Sequence, residues 1–142
     1  MDPAIATENL TKSYNGTPAL NALTLEVMPG EVFGFLGPNG AGKSTTIRLL
    51  LDLIRPTAGH ARVLGMDCQR QSLAVRALIG YLPGELRLYP NLRADQTVAL
   101  FARLRPQPPE PHSITALAAR LNLDLSHRVG TYSKGNRQKL GL

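Results

Sequence analysis

The spacing of apolar positions changes twice within one short stretch of the chain. Residues 31–36 are mostly apolar, which is typical of a strand buried on both faces of a sheet. Residues 37–42 are rich in glycine and predict a loop. Apolar residues then recur at helical spacing and predict a helix over 44–54, which ends before Pro56. The pattern therefore predicts a strand, a glycine-rich loop and an amphipathic helix, in that order.

Similar patterns on either side predict the remaining elements. Short apolar runs bounded by turn residues predict strands over 5–8, 23–27, 61–64 and 79–82. Helical spacing predicts helices over 72–78, 94–104 and 114–121, and a further one from Asn136 onward. Four prolines make 105–112 a stiff connector. Strands that alternate with helices predict an α/β fold with a largely parallel sheet, an antiparallel N-terminal part and a helical segment.

Composition narrows the class of protein. A chain of 142 residues with 43% hydrophobic and 18% charged residues suits one globular domain. A single cysteine, Cys68, excludes an internal disulfide framework. No apolar run reaches the length of a membrane span, and residues 1–10 do not form a signal peptide, so we expect a cytoplasmic chain. The net charge of +6 is scattered along the chain, so no nucleic-acid partner is expected.

The glycine-rich loop carries the clearest chemistry, because residues 37–44 fit the pattern G-x-x-x-x-G-K-[ST]. Glycines allow successive backbone N–H groups to face one anion, and the following helix directs its positive end to the same place. Lys43 supplies a cation for the β- and γ-phosphates, and the Ser44 hydroxyl is a ligand for Mg²⁺. A dinucleotide fingerprint fails because Thr45 stands where its last glycine belongs. The predicted nucleotide-binding residues of the loop are Gly37, Pro38, Asn39, Gly40, Ala41, Gly42, Lys43, Ser44 and Thr45.

Hydrolysis of a nucleotide also needs a carboxylate for Mg²⁺ and a group that orients water. Asp52 ends an apolar run, but that run belongs to the predicted helix, so Asp52 is expected on the helix surface. Asp124 follows an interrupted apolar run and is expected in a loop. The three histidines are isolated, without metal-ligand spacing. The sequence therefore predicts nucleotide binding without a catalytic residue.

Read with its neighbours, the loop resembles that of the ATP-binding subunit of an ABC transporter, and residues 29–46 are close to the pattern of drug-export members. Residues 9–14 resemble the opening strand and aromatic loop of this family. The resemblance implies that Tyr14 stacks on adenine; a packed turn aromatic is the alternative. It also implies ATP and Mg²⁺ as cofactors and a P-loop NTPase fold.

Residues 132–138 resemble the family signature in the form found in drug and antibiotic exporters. The resemblance implies a second phosphate clamp that acts on ATP held by a second nucleotide-binding domain. A hydroxyl, a close backbone approach and a helix start suit an anion, although the same features also describe a plain helix cap. The signature residues are Ser133, Lys134, Gly135 and Asn136.

The chain departs from the family pattern in two ways. Gly84 stands where the family usually has a glutamine that contacts Mg²⁺ and water, and Glu85 next to it is a weak substitute. The magnesium aspartate, catalytic glutamate and switch histidine that follow the signature in the family do not occur in these 142 residues, nor do the C-terminal strands. We therefore expect a partial nucleotide-binding domain, with a core over about 1–83, a helical subdomain over about 84–134, and the signature with the start of its helix over 132–142.

The resemblance implies an ATPase that drives export through a separate integral-membrane permease, at the inner face of the cell membrane. The isolated chain is expected to bind nucleotide without hydrolysing it. Two alternatives remain: an ABC-type ATPase of translation or DNA repair that transports nothing, and a truncated remnant without catalytic activity.

Overall fold

A long β-hairpin organises the first part of the computed structural model, which describes residues 2–105 and 107–142. Strand β1 (Ile5–Tyr14) and strand β2 (Thr17–Val27) pair antiparallel. The hairpin turns at Asn15 and Gly16, both with positive φ, as the right-handed twist of paired strands favours. Both strands are longer than the predicted strands over 5–8 and 23–27. The hairpin is the framework on which the rest of this unit packs.

Two further strands and two helices complete this first unit, which extends to Gly80. Strands β3 (Ala58–Val63) and β4 (Met66–Asp67) extend the sheet, whose order is β2-β1-β3-β4. Helices α1 (Lys43–Leu50) and α2 (Ser72–Leu78) accompany it. The prediction of α2 is confirmed to the residue, whereas α1 ends four residues before the predicted end. The buried core of this unit consists of Leu10, Leu20, Leu49, Ala61, Val63, Cys68 and Val75.

The predicted strand over 31–36 is wrong: these residues form no strand, and Val32 is 100% and Leu36 90% exposed. A strand buried on both faces needs a partner strand along each edge and covering layers above and below. All strand pairs in the described part of the chain are antiparallel and lie in the one sheet, so residues 31–36 have no such partners there. The prediction of a largely parallel sheet is therefore wrong for the described residues, while the antiparallel N-terminal part is confirmed.

The second unit, Tyr81–Leu142, is helical. Its helices are α3 (Ala94–Ala102), α4 (Pro111–Arg120) and α5 (Lys134–Leu140), with a short 3-10 turn at Val129–Thr131. Helix α4 begins three residues before the predicted start, because a proline is well tolerated at the first helical position. The buried centre of the second unit contains Ala94, Leu123 and Tyr132.

One sequence prediction for this part of the chain is wrong, and another falls partly outside the described residues. The predicted strand over 79–82 is wrong, since these residues form no strand and Tyr81 and Leu82 are exposed. Pro106, one of the prolines of the predicted connector, lies outside the described residues. Among residues 2–105 and 107–142, no helix combines the length and apolarity that crossing a membrane requires.

Cys68 gives a test of the core of the first unit. Its side chain is buried, and this burial, with the nearby carboxylates of Asp67 and Asp52, raises the thiol pKa from 9.0 to about 11. The thiol pKa is higher in the folded chain than in the unfolded one. The stability that comes from keeping Cys68 protonated is therefore fully present below pH 9 and is lost as the pH rises toward 11. We expect an aromatic disulfide reagent at neutral pH to modify Cys68 about a hundredfold more slowly in the native chain than in denaturant. Equal rates would show that this core is open.

Candidate functional site

The glycine-rich loop lies directly against strand β2. Gly42 has a left-handed backbone (φ 86°), and a Cβ atom there would lie 2.8 Å from the Ala19 carbonyl oxygen and 2.9 Å from Leu20 Cδ1. Only a residue without a side chain allows this approach, so the last glycine of the motif fixes the distance between loop and sheet. Leu20 pairs with Lys12 in the hairpin. The loop is thereby positioned by the hairpin.

The Lys43 ammonium lies across the loop. Its Nζ donates hydrogen bonds to the carbonyl oxygens of Gly37 at 2.6 Å and Pro38 at 2.7 Å. An ammonium has three donors, so two hold the loop closed on itself and the third is available to an anion. The sequence motif predicts a cation at this position but not its role in shaping the loop.

Helix α1 begins at the end of the loop, so its N-terminal N–H groups face the same region. Thr46 donates from both its backbone N–H and its hydroxyl to the Gly42 carbonyl oxygen, at 2.8 Å and 3.0 Å, and its side chain is buried. Thr46 is a positioning residue that the motif does not specify. The Ser44 side chain is exposed in the first turn, and Thr45 is half-buried. The exposed Ser44 hydroxyl is accessible to a hard cation, which fits a magnesium ligand.

Tyr14 lies at the end of β1, beside the hairpin turn, and is 47% exposed. The Lys12 ammonium is 4.9 Å from the centre of its ring and donates to the Arg55 carbonyl oxygen at 2.7 Å. Lys12 pairs with Leu20, whose side chain lies beside Gly42, so Tyr14 lies two residues along β1 from the residue opposite that contact. Two residues of strand span about 7 Å. Tyr14 and the loop are thus parts of one local structure, and Lys12 is a neighbour that sequence analysis missed.

The two aspartates considered as magnesium ligands are engaged elsewhere. The prediction that Asp52 lies on the helix surface is wrong: α1 ends before it, its backbone is left-handed, and its side chain is only 8% exposed, with Oδ1 3.2 Å from Arg55 Nε. The prediction that Asp124 lies in a loop is confirmed. The Ser126 backbone N–H donates to the Asp124 carboxylate, whose Oδ2 lies 3.4 Å from His127 Nε2. These contacts lower the pKa of Asp124.

The second unit holds the signature residues at the start of α5. Ser133 caps this helix, since its hydroxyl accepts a hydrogen bond from the Asn136 N–H at 3.2 Å. Lys134 and Gly135 lie in the first turn and are exposed. The helix begins two residues before the predicted start, which places all four signature residues at its N-terminal end.

Buried neighbours hold this helix start in place. Tyr132, directly before Ser133, packs with Ala94 and Leu123, and its hydroxyl donates to the Asp124 carbonyl oxygen. Gln138 Nε2 donates to the carbonyl oxygens of Pro83 at 3.1 Å and Gly84 at 3.0 Å. The second bond ties the signature helix to the segment in which the family glutamine is replaced. Glu85 is exposed in that segment.

The candidate residues therefore fall into two groups. Tyr14 and the loop residues belong to the first unit, and Glu85 and the signature residues belong to the second. Hydrogen bonds outside regular elements, such as those of Gln138 to Pro83 and Gly84 and of Tyr132 to Asp124, leave no periodic signal in a sequence. Their only sequence signal is a polar or aromatic side chain beside a motif.

Comparison with known proteins identifies the protein family of this chain. The sequence model of the ABC transporter family matches residues 20–142, so the chain belongs to this family. The α/β fold agrees: a solved structure of the ATP-binding subunit of an ABC transporter superposes with a TM-score of 0.82 at 27% identity, covering 97% of this chain and 59% of that one.

Two curated relatives are similar to this chain over almost its whole length. A daunorubicin resistance ATP-binding protein of Streptomyces coeruleorubidus is 40% identical over 152 aligned positions, covering 99% of this chain and 46% of the relative. A bacitracin transport ATP-binding protein of Bacillus licheniformis is 34% identical, covering 100% of this chain and 47% of the relative. The chain thus spans about half the length of these curated relatives.

The contact between Gly42 and β2 can be tested by a matched pair of variants. Gly42→Ala places a methyl group against Ala19 and Leu20, whereas Gly40→Ala, at nearly the same φ, meets nothing within 4 Å. Both variants bear the cost of a left-handed backbone, but only the first adds a clash of about 1–3 kcal/mol. We expect chemical denaturation to give a free energy of unfolding about 2 kcal/mol lower for Gly42→Ala than for Gly40→Ala. Equal values would contradict the close approach.

Proposed function

We propose that this chain is the ATP-binding part of an ABC-type exporter and that it holds Mg-ATP at the loop of residues 37–45. The observation that carries the proposal is the Lys43 ammonium, held over the loop by the carbonyls of Gly37 and Pro38 at the start of α1. A fixed cation, inward backbone N–H groups and a helix N-terminus together form an anion site suited to a polyphosphate. The other candidate residues have roles around this centre.

Different residues of the first unit bind the nucleotide base and the metal ion. The half-exposed ring of Tyr14 supplies a stacking surface for adenine, with Lys12 over one face and the opposite face for the base. The exposed Ser44 hydroxyl would supply one oxygen ligand to Mg²⁺. When bound, the ion would neutralise negative charge on the phosphates.

The second unit supplies the contact with a second nucleotide-binding domain. Ser133, Lys134, Gly135 and Asn136 together present a hydroxyl, a cation and backbone N–H groups at the start of α5. In the proposed dimer they contact the γ-phosphate of ATP bound by the opposite copy. Binding of ATP closes the dimer, and hydrolysis in the intact transporter opens it.

Transport requires a membrane partner. We propose that an integral permease, which contacts the segment 84–89, carries the substrate and holds this chain at the inner face of the membrane. The named functions of the relatives, daunorubicin resistance and bacitracin transport, support export of a drug or antibiotic. Glu85 is the side chain of this segment nearest the position of the family glutamine.

Replacement of the loop lysine tests the phosphate site. Lys43→Ala removes a charge-assisted contact worth about 1.5–3 kcal/mol, so we expect a fluorescent ATP analogue to bind about 10–100-fold more weakly in an anisotropy titration with Mg²⁺. Arg48→Ala is the matched control, because it removes one exposed cation from the same helix. Equal affinity of Lys43→Ala and the unaltered chain would overturn the proposed site.

The role of Tyr14 is tested by removing its ring and, separately, its hydroxyl. Stacking of a base on an aromatic ring is worth about 1–3 kcal/mol, so Tyr14→Ala should weaken binding of the same analogue about tenfold. Tyr14→Phe keeps the ring and should bind like the unaltered chain. A loss in both variants would instead assign the contribution to the hydroxyl, and a loss in neither would remove Tyr14 from the site.

A further inference from the structure

An apolar cavity of about 470 Å³ lies in the second unit, where helices α3, α4 and α5 all contribute to its wall. This volume is within the range of about 300–1,000 Å³ that is usual for small-molecule sites. We call it the helical cavity. Its apolar wall includes Val98, Phe101, Ile114, Leu117, Leu140 and Leu142. All of its lining residues belong to the second unit, so the helical cavity is separate from the phosphate loop.

Several large apolar side chains of the helical cavity are left in contact with water. Phe101, Leu117 and Leu142 line it and are 45%, 40% and 70% exposed. Each comes from a different part of the unit: α3, α4 and the residues after α5. Apolar surface that is exposed and continuous around one cavity is typical of a binding site. A ligand with a hydrocarbon chain would cover surface that the side chains of the second unit leave open.

The polar residues of the wall indicate which head group such a ligand carries. Arg105, just after α3, and Lys139, on α5, both line the helical cavity. Among the residues that the structure describes, the lining contains no aspartate or glutamate, and neither cation belongs to a salt bridge. Ser113, in the first turn of α4, adds a hydroxyl donor. Two cations and a hydroxyl at the rim of an apolar cavity favour a carboxylate.

We propose that the helical cavity binds a fatty carboxylate, a single hydrocarbon chain with an anionic head. The chain lies against Leu117 and Leu140, and the carboxylate pairs with the cations of the wall, Arg105 and Lys139. Lys139 and Leu140 belong to the helix that Ser133 caps, so the bound ligand stabilises the helix that presents the signature residues. This inference goes beyond the proposed function, because the ligand occupies the second unit whether or not ATP is bound to the first.

The experiment compares amphiphiles that differ in one property at a time. Binding of dodecanoate, dodecanol and dodecyltrimethylammonium to the unaltered chain is measured by isothermal titration calorimetry near neutral pH, below the concentrations at which micelles form. We expect dodecanoate to bind about fivefold more tightly than dodecanol, and the cationic amphiphile to bind most weakly. Decanoate, which has two fewer methylenes to bury, should bind about tenfold more weakly than dodecanoate. Burial of the chain should also give a negative heat-capacity change.

A matched pair of leucine variants locates the hydrocarbon chain. Leu117→Glu places a carboxylate in the wall of the helical cavity, whereas Leu100→Glu changes a leucine of α3 that does not line it. The two leucines are 40% and 39% exposed, so their substitutions expose the chain to similar structural costs. We expect Leu117→Glu to weaken dodecanoate binding at least about tenfold and Leu100→Glu to change it less than about twofold.

A second pair of variants locates the head group. Arg105→Gln combined with Lys139→Gln should lower the affinity for dodecanoate to about that for dodecanol, and should leave dodecanol binding unchanged. Arg103→Gln combined with Arg120→Gln removes the same charge at exposed positions outside the lining and should leave the preference for dodecanoate. Circular dichroism shows whether each variant is folded, and the comparison of amphiphiles on the unaltered chain needs no variant.

Each other result would overturn the proposal. Equal affinity for the three amphiphiles would exclude recognition of an anionic head, and equal losses in the two leucine variants would show only general adhesion to apolar surface. Self-association that Leu117→Glu abolishes, without dodecanoate binding, would assign the helical cavity to a second copy of the chain. Phosphatidylglycerol vesicles that bind in a Leu117-dependent way, when monomeric dodecanoate does not, would assign it to a membrane lipid and not to a free fatty carboxylate.

Discussion

The close approach of Gly42 to strand β2 is the constraint on which the first unit depends. It fixes where the loop leaves the sheet, and Thr46 then uses the Gly42 carbonyl to start helix α1. Lys43 extends back from that first turn to the carbonyls of Gly37 and Pro38. The two ends of the loop are therefore held, one by steric fit and the other by a cation. A backbone fixed at both ends keeps its N–H groups directed to one place.

In the second unit, side chains and not a glycine hold the signature residues in place. Tyr132 anchors the residue before the signature through its ring and its hydroxyl, and Ser133 caps the helix that follows. Gln138 holds the same helix from one turn further on. The exposed part of the signature is thus short and is supported from both sides. This arrangement leaves Lys134 and Gly135 accessible while their backbone is fixed.

Elements that depend on local contacts were predictable from the sequence. Helix α2 and the glycine-rich loop follow from spacing and turn residues, and the hairpin follows in part from its Asn15-Gly16 turn. The absence of a strand over 31–36 was not predictable in this way, because apolar residues specify burial but not the neighbours that provide it. Asp52 was misplaced for a related reason: its burial depends on a left-handed turn and on Arg55, not on helical spacing.

The contacts of Lys12 have a consequence for the entropy of ligand binding. Its ammonium lies over the Tyr14 ring and is itself held by the Arg55 carbonyl, so the ring at the hairpin tip has a neighbour that limits its rotation. A side chain that is already restrained loses less rotational freedom when a flat ligand stacks on it. Preorganisation of this kind slows the departure of a ligand more than it speeds arrival. The residence time of the base would then depend on a lysine that need not contact it.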